Sequence, residues 1–121
     1  MPQLKISHIM LGVESKDRAV KFYRDKLGLK LQMEFEGFAF FEGGGCALVM
    51  SEALARANTY KVGATEVVFG VEGVREACDE LRAKGVEFVN EPRAVSGPMF
   101  AANFKDPDGH LLSVFGPEKK A

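Results

Sequence analysis

The sequence predicts an α+β fold of two βαβββ modules whose strands form a curved mixed sheet around a cleft. The chain repeats itself: a shift of 58 positions lays His8-Ile9-Met10-Leu11-Gly12-Val13-Glu14 on Glu66-Val67-Val68-Phe69-Gly70-Val71-Glu72. The same shift puts Ala19 on Ala77, Arg24 on Arg82 and Lys26 on Lys84, and a one-residue slip at Leu27 then brings Gly28 onto Gly85. In each copy a strand-like apolar run precedes a helical stripe, and short runs parted by glycine follow. A repeat unit too small to bury its own apolar face pairs with its copy, so 121 residues make one domain rather than two independent ones.

The first module spans about residues 4–51. Lys5 to Val13 reads as a strand, and Ser15 is placed to cap a helix over Ser15 to Leu27 that stops at Gly28. Leu29 to Phe35 and Phe38 to Glu42 are strands parted by Glu36-Gly37. Gly43-Gly44-Gly45 turns the chain into a fourth strand, Cys46 to Ser51. The glycine run lacks the lysine and following helix of a phosphate-binding loop. A linker covers 52–63, with a short helix over Glu52 to Asn58 and Tyr60 as a surface residue.

The second module, about residues 64–116, repeats that order before a tail at 117–121. Thr65 to Val71 is a strand, Val74 to Lys84 a helix, and Gly85 its stop. Val86 to Asn90 is expected as a strand, and Glu91-Pro92 and Ser96-Gly97-Pro98 bracket a loop. Met99 to Lys105 and His110 to Phe115 are strands around the turn Asp106-Pro107-Asp108-Gly109, where proline presets φ and glycine accepts φ > 0. His110 then reads as a solvated turn residue rather than a metal ligand or catalyst.

Strand periodicity sorts side chains by face. Ser7, Ile9, Leu11 and Val13 go under the helix, which leaves Ile6, His8 and Met10 for the cleft. Val67, Phe69, Val71, Leu112 and Val114 are helix-side in the second module, with Glu66, Val68, Leu111, Ser113 and Phe115 opposite them. Cys46, Leu48 and Met50 match the helix side, leaving Ala47, Val49 and Ser51 inside. Phe38, Phe40 and Phe100 join Met10, Val49, Val68, Ser113 and Phe115 as candidate ligand contacts, their facing left open by the sequence.

A net charge of −1 with mixed signs gives no footprint for nucleic acid or a membrane surface. No apolar run reaches the ~20 residues of a membrane span and no signal peptide is evident, so a cytoplasmic protein is expected. Cys78 lies on a helical stripe with Val74, Ala77 and Leu81, and Cys46 follows the glycine run. Both read as reduced packing residues.

The order and spacing of His8-Ile9-Met10-Leu11-Gly12-Val13, Ala19-Val20-Lys21-Phe22-Tyr23, Leu27-Gly28-Leu29, Phe40-Phe41-Glu42-Gly43-Gly44, Leu81-Arg82-Ala83-Lys84-Gly85-Val86 and Phe104-Lys105-Asp106-Pro107-Asp108-Gly109-His110 resemble the vicinal oxygen chelate superfamily of glyoxalases, extradiol dioxygenases and bleomycin-resistance proteins. The resemblance covers nearly the whole chain. It implies the glyoxalase/bleomycin-resistance fold, a homodimer and, in metal-using relatives, a divalent ion (Zn, Ni, Mn or Fe) held by the first and last strand of each module. Carried over, the ligand positions are His8, Val49, Glu66 and Ser113, so two of the four lack a strong ligand.

The resemblance therefore implies a member that needs no cofactor and binds a small hydrophobic or aromatic, even cationic, molecule. His8 and Glu66 would be a ligand-binding pair, an acid/base pair or a polar pair lining the cleft. The alternative is a glyoxalase-like lyase, isomerase or dioxygenase that uses His8 and Glu66 with a metal or as acid and base.

Overall fold

The computed structural model describes residues 3, 6–57 and 65–121, and the expectations for Tyr60 and for the linker beyond Ala57 lie outside them. The chain divides into two compact units, Met1–Lys61 and Val62–Ala121. Unit one contains β1 (His8–Gly12), α1 (Lys16–Val20), β2 (Leu31–Phe35), β3 (Phe38–Glu42), β4 (Ala47–Ser51) and α2 (Glu52–Ala57). Unit two contains β5 (Glu66–Gly70), α3 (Val74–Ala83), β6 (Arg93–Ser96), β7 (Met99–Lys105) and β8 (Leu111–Pro117). Among the described residues no helix is long and apolar enough to cross a membrane.

Each unit forms a four-stranded mixed sheet, in the orders β1-β4-β3-β2 and β5-β8-β7-β6. The first strand of each pairs parallel with the last, and the remaining pairs are antiparallel. Of the edge strands, β2 and β6 carry a register shift, between Leu31 and Met33 and between Ala94 and Ser96.

In unit one Ser15 caps α1 by accepting the Arg18 N–H at 3.1 Å. The helix then widens into a π-helix over Lys21–Lys26, where the Leu27 N–H reaches back to the Phe22 carbonyl at 3.1 Å. Ala19, Val20, Phe22 and Tyr23 are buried, and the Tyr23 and Phe41 rings lie 5.8 Å apart. The sheet face that carries Phe41, Leu48, Met50 and Leu11 is therefore the helix side. Ile9 shares that face yet stays exposed, because β1 is an edge strand and α1 packs over β3 and β4.

In unit two Val74 and Cys78 of α3 are buried against a sheet face built from Ala102, Phe104, Leu112 and Val114. Burial pushes the Cys78 thiol up, which makes it a packing group rather than a nucleophile. The tail is fixed to the start of α3: the Arg75 N–H donates to the Glu118 carbonyl at 3.0 Å, and Arg75 Nε pairs with the Glu118 carboxylate at 2.6 Å.

Two expectations fail between α3 and β7. Arg93–Ser96, expected in a loop, is strand β6, because Gly97-Pro98 is a two-residue hairpin loop closing Ser96 onto Met99. Gly97 at φ +54° supplies the left-handed first position that a primed turn requires. Val86 to Asn90, expected as a strand, contributes only a bridge from Phe88 to Phe104. There the Asn90 side chain takes the place of a ladder partner, its Oδ1 accepting the Asn103 N–H at 2.8 Å.

Candidate functional site

Strand register places the candidate residues other than Phe100 on the sheet faces away from α1 and α3. In unit one, Met10, Val49 and Phe40 form one cross-strand row, Gly12, Ser51 and Phe38 the next, and His8, Ala47 and Glu42 the row at the other end. In unit two, Val68, Ser113 and Asn103 form a row, flanked by Glu66, Leu111 and Lys105 on one side and Gly70, Phe115 and Ala101 on the other. Val49 and Ser113 thus occupy equivalent points of the two repeats.

Met10 is 39% exposed and Val68 54%, while Phe40, Phe38 and Phe115 are half-buried. Phe40 meets Phe35 edge-on at 6.1 Å. Phe100 does not belong with them. It pairs in register with Gly116, shares the helix-side parity of Ala102 and Phe104, and has the Arg75 guanidinium 5.9 Å from its ring centre.

The polar groups differ sharply between the units. His8 is exposed, with its Nδ1 2.9 Å from the Ser7 hydroxyl. Ser51, on the same face, is spent on capping α2 and accepts the Leu54 N–H at 3.0 Å. Glu66 is exposed but anchored: the buried Asn103 amide donates to its Oε2 at 3.0 Å. Asn103 Nδ2 also donates to the Leu112 carbonyl at 3.3 Å, and its Oδ1 accepts from Asn90 Nδ2 at 3.0 Å. Ser113 is 1% exposed, and its hydroxyl has no hydrogen-bond partner among the described residues.

Asn90 and Asn103 were not candidates from sequence alone. The signal was present in the parity of β7, which puts Asn103 on the face of Ser113. His110 also departs from expectation. It is half-buried rather than solvated, with Nδ1 2.6 Å from Oδ2 of Asp106, whose Oδ1 accepts the backbone N–H groups of residues 108 and 110. An aspartate that closes the turn on its own backbone draws the imidazole inward.

The donor chemistry does not match a metal cage. The two positions that the resemblance marks as ligands in unit one offer an imidazole and the hydrocarbon of the fully buried Val49, and those it marks in unit two a carboxylate already bonded to an amide N–H and a neutral hydroxyl. Among the described residues no group of three or more His, Cys, Asp or Glu could hold a metal ion.

Residues 5–114 match the family model described as the Glyoxalase/Bleomycin resistance protein/Dioxygenase superfamily. The chain belongs to that superfamily. This superfamily member is 30% identical over 125 residues to a probable lactoylglutathione lyase of Vibrio parahaemolyticus, covering 91% of the chain and 88% of the relative. Its fold is similar to that of a glyoxalase/bleomycin resistance protein/dioxygenase from Nocardioides, with a TM-score of 0.78, 25% identity, and coverage of 97% and 85%. TnmS3, an antibiotic binding protein from Streptomyces sp. CB03234, shares the fold at a TM-score of 0.80 and 21% identity, with coverage of 97% and 98%.

Proposed function

We propose that the chain binds a small hydrophobic or aromatic molecule without a metal ion, using the sheet faces opposite α1 and α3 as its contact surface. The observation that carries this reading is the pair Val49 and Ser113: at equivalent points of the repeat both positions lack an ionisable donor. Met10, Phe38, Phe40, Val68 and Phe115 supply apolar contact, and His8 and Glu66 supply the polar handles that fix orientation. The similarity to an antibiotic binding protein agrees with sequestration as the task. The same reading has the chain acting as a cytoplasmic homodimer, a state that sedimentation equilibrium tests.

The decisive experiment is metal content after purification without chelators, followed by calorimetric titration with Ni²⁺, Zn²⁺, Mn²⁺ and Fe²⁺. The expected result is neither bound metal nor binding heat. Near-stoichiometric metal that disappears in both His8→Ala and Glu66→Ala would overturn the proposal.

A second reading, a lyase or isomerase using His8 and Glu66 as acid and base, is favoured by the 30% identity to a probable lactoylglutathione lyase. It requires interconversion of S-lactoylglutathione and its isomeric hemithioacetal, a proton moving between adjacent carbons, and loss of that turnover in His8→Ala. A binder shows no turnover and keeps its ligand affinity in chelator.

A further inference from the structure

We propose that Asn90 and Asn103 are positioning residues that aim one oxygen of the Glu66 carboxylate at the ligand, so that the site selects a ligand carrying a protonated amine over its neutral isostere. The proposal rests on the binding reading above and specifies its charge preference.

The argument turns on amide polarity. Asn103 faces two acceptors, Glu66 Oε2 at 3.0 Å and the Leu112 carbonyl at 3.3 Å, so only its NH₂ end can point that way. Its Oδ1 is left to accept from Asn90 Nδ2 at 3.0 Å. Asn90 is fixed in turn, because its Oδ1 accepts the Asn103 backbone N–H at 2.8 Å. Reversing either amide sets acceptor against acceptor and donor against donor, so the two side chains have one orientation. A backbone N–H thereby determines, through two amides, which end of Asn103 meets Glu66.

The consequence falls on the carboxylate. Oε2 is occupied, and among the described residues Oε1 has no hydrogen-bond donor and Glu66 no ion-pair partner. An exposed carboxylate held on one side, next to the apolar Val68 and Leu111, suits an ammonium group attached to a hydrocarbon body. A ligand carboxylate or phosphate would be repelled there. Burial of Asn103 at 5% exposure keeps water from substituting for the relay.

The test uses benzylammonium and its neutral isostere ethylbenzene, titrated by amide chemical-shift perturbation into the full chain and its variants. The wild-type chain is expected to prefer benzylammonium by roughly fivefold or more. Glu66→Gln should abolish that preference. Asn90→Asp should also weaken it with Glu66 intact, read in salt that screens the added charge, because the new carboxylate captures the Asn103 NH₂ and turns Oδ1 toward Glu66.

Preference lost in Glu66→Gln but kept in Asn90→Asp would overturn the relay and leave the binding reading standing. Equal wild-type binding of the two probes would overturn charge selection, and binding of neither would overturn the binding reading itself. Should Asn90→Asp fail to fold, the Asn103 side-chain NH₂ resonances in wild type and Glu66→Gln decide. They must move when the carboxylate becomes an amide, and unchanged resonances overturn the relay.

Discussion

Replacing Ser113 with alanine is expected to raise stability by about 1 kcal/mol, since a buried hydroxyl without a partner has lost its water and gained nothing in exchange. Equilibrium denaturation in urea measures it, and a loss of stability would show that the hydroxyl has a partner. Glu76 supplies a second expectation. Its carboxyl is held below the ordinary range by its own backbone N–H and by that of Lys120, which it accepts at 3.1 Å. A depressed carboxylate contributes stability at pH above its unfolded value and loses it as pH falls through the folded one. The Lys120 amide should therefore lose hydrogen-exchange protection on acidification, and a Glu76→Gln variant should show a flatter profile. At this scale the sequence was most informative where a side chain alternates along a strand: the facing of His8, Met10, Glu66 and Ser113 follows from period two. Phe100 escaped because the register of β7 was not anchored, and Asn103 because asparagine reads as a turn or surface residue until a buried acceptor is known to face it.

Between helices the two repeats differ by one residue, and the structure shows where that residue goes. The slip at Leu27 in the repeat alignment coincides with the π-helical stretch Lys21–Lys26, which absorbs one extra residue before Gly28. The two helices converge on the same ending, with left-handed glycines at φ +76° for Gly28 and +89° for Gly85. Deleting Leu27 should remove the π-turn and leave the chain folded at a cost below about 2 kcal/mol, whereas deleting a residue from α3 should disrupt unit two. Circular dichroism and denaturant midpoints of the two deletions check this. The inserted residue was legible in sequence but its winding was not, because propensity sees residues and not the hydrogen-bond ring they close. The same distinction explains β6. Ser96-Gly97-Pro98 reads from sequence as one end of a loop, but a connection of only two residues obliges the flanking segments to pair. Gly97→Ala should therefore cost about 1 kcal/mol by forcing a Cβ into the left-handed region, measured as a shift in denaturation midpoint.

Across the whole molecule the duplication was the dominant signal, because a 58-residue offset fixes element order twice and lets each copy check the other. Function was less legible, since the resemblance puts the chemistry on a few positions and two of them, Val49 and Ser113, carry no ionisable donor. If those positions hold no ion, adding a chelator should leave the melting temperature within about 1 °C, whereas a resident metal stabilises by mass action and its removal lowers the melting point. Differential scanning calorimetry with and without EDTA distinguishes the cases. The bulges in β2 and β6 bear on a different property. These two edge strands break register, and β2 presents Met33 at 51% and Phe35 at 56% exposure. A flat strand with that much exposed hydrocarbon would be a template for adding further strands from other molecules, the first step toward fibrils. The register break interrupts the regular row of N–H and C=O groups that such growth on β2 would need, so its exposed hydrocarbon does not come with a straight template.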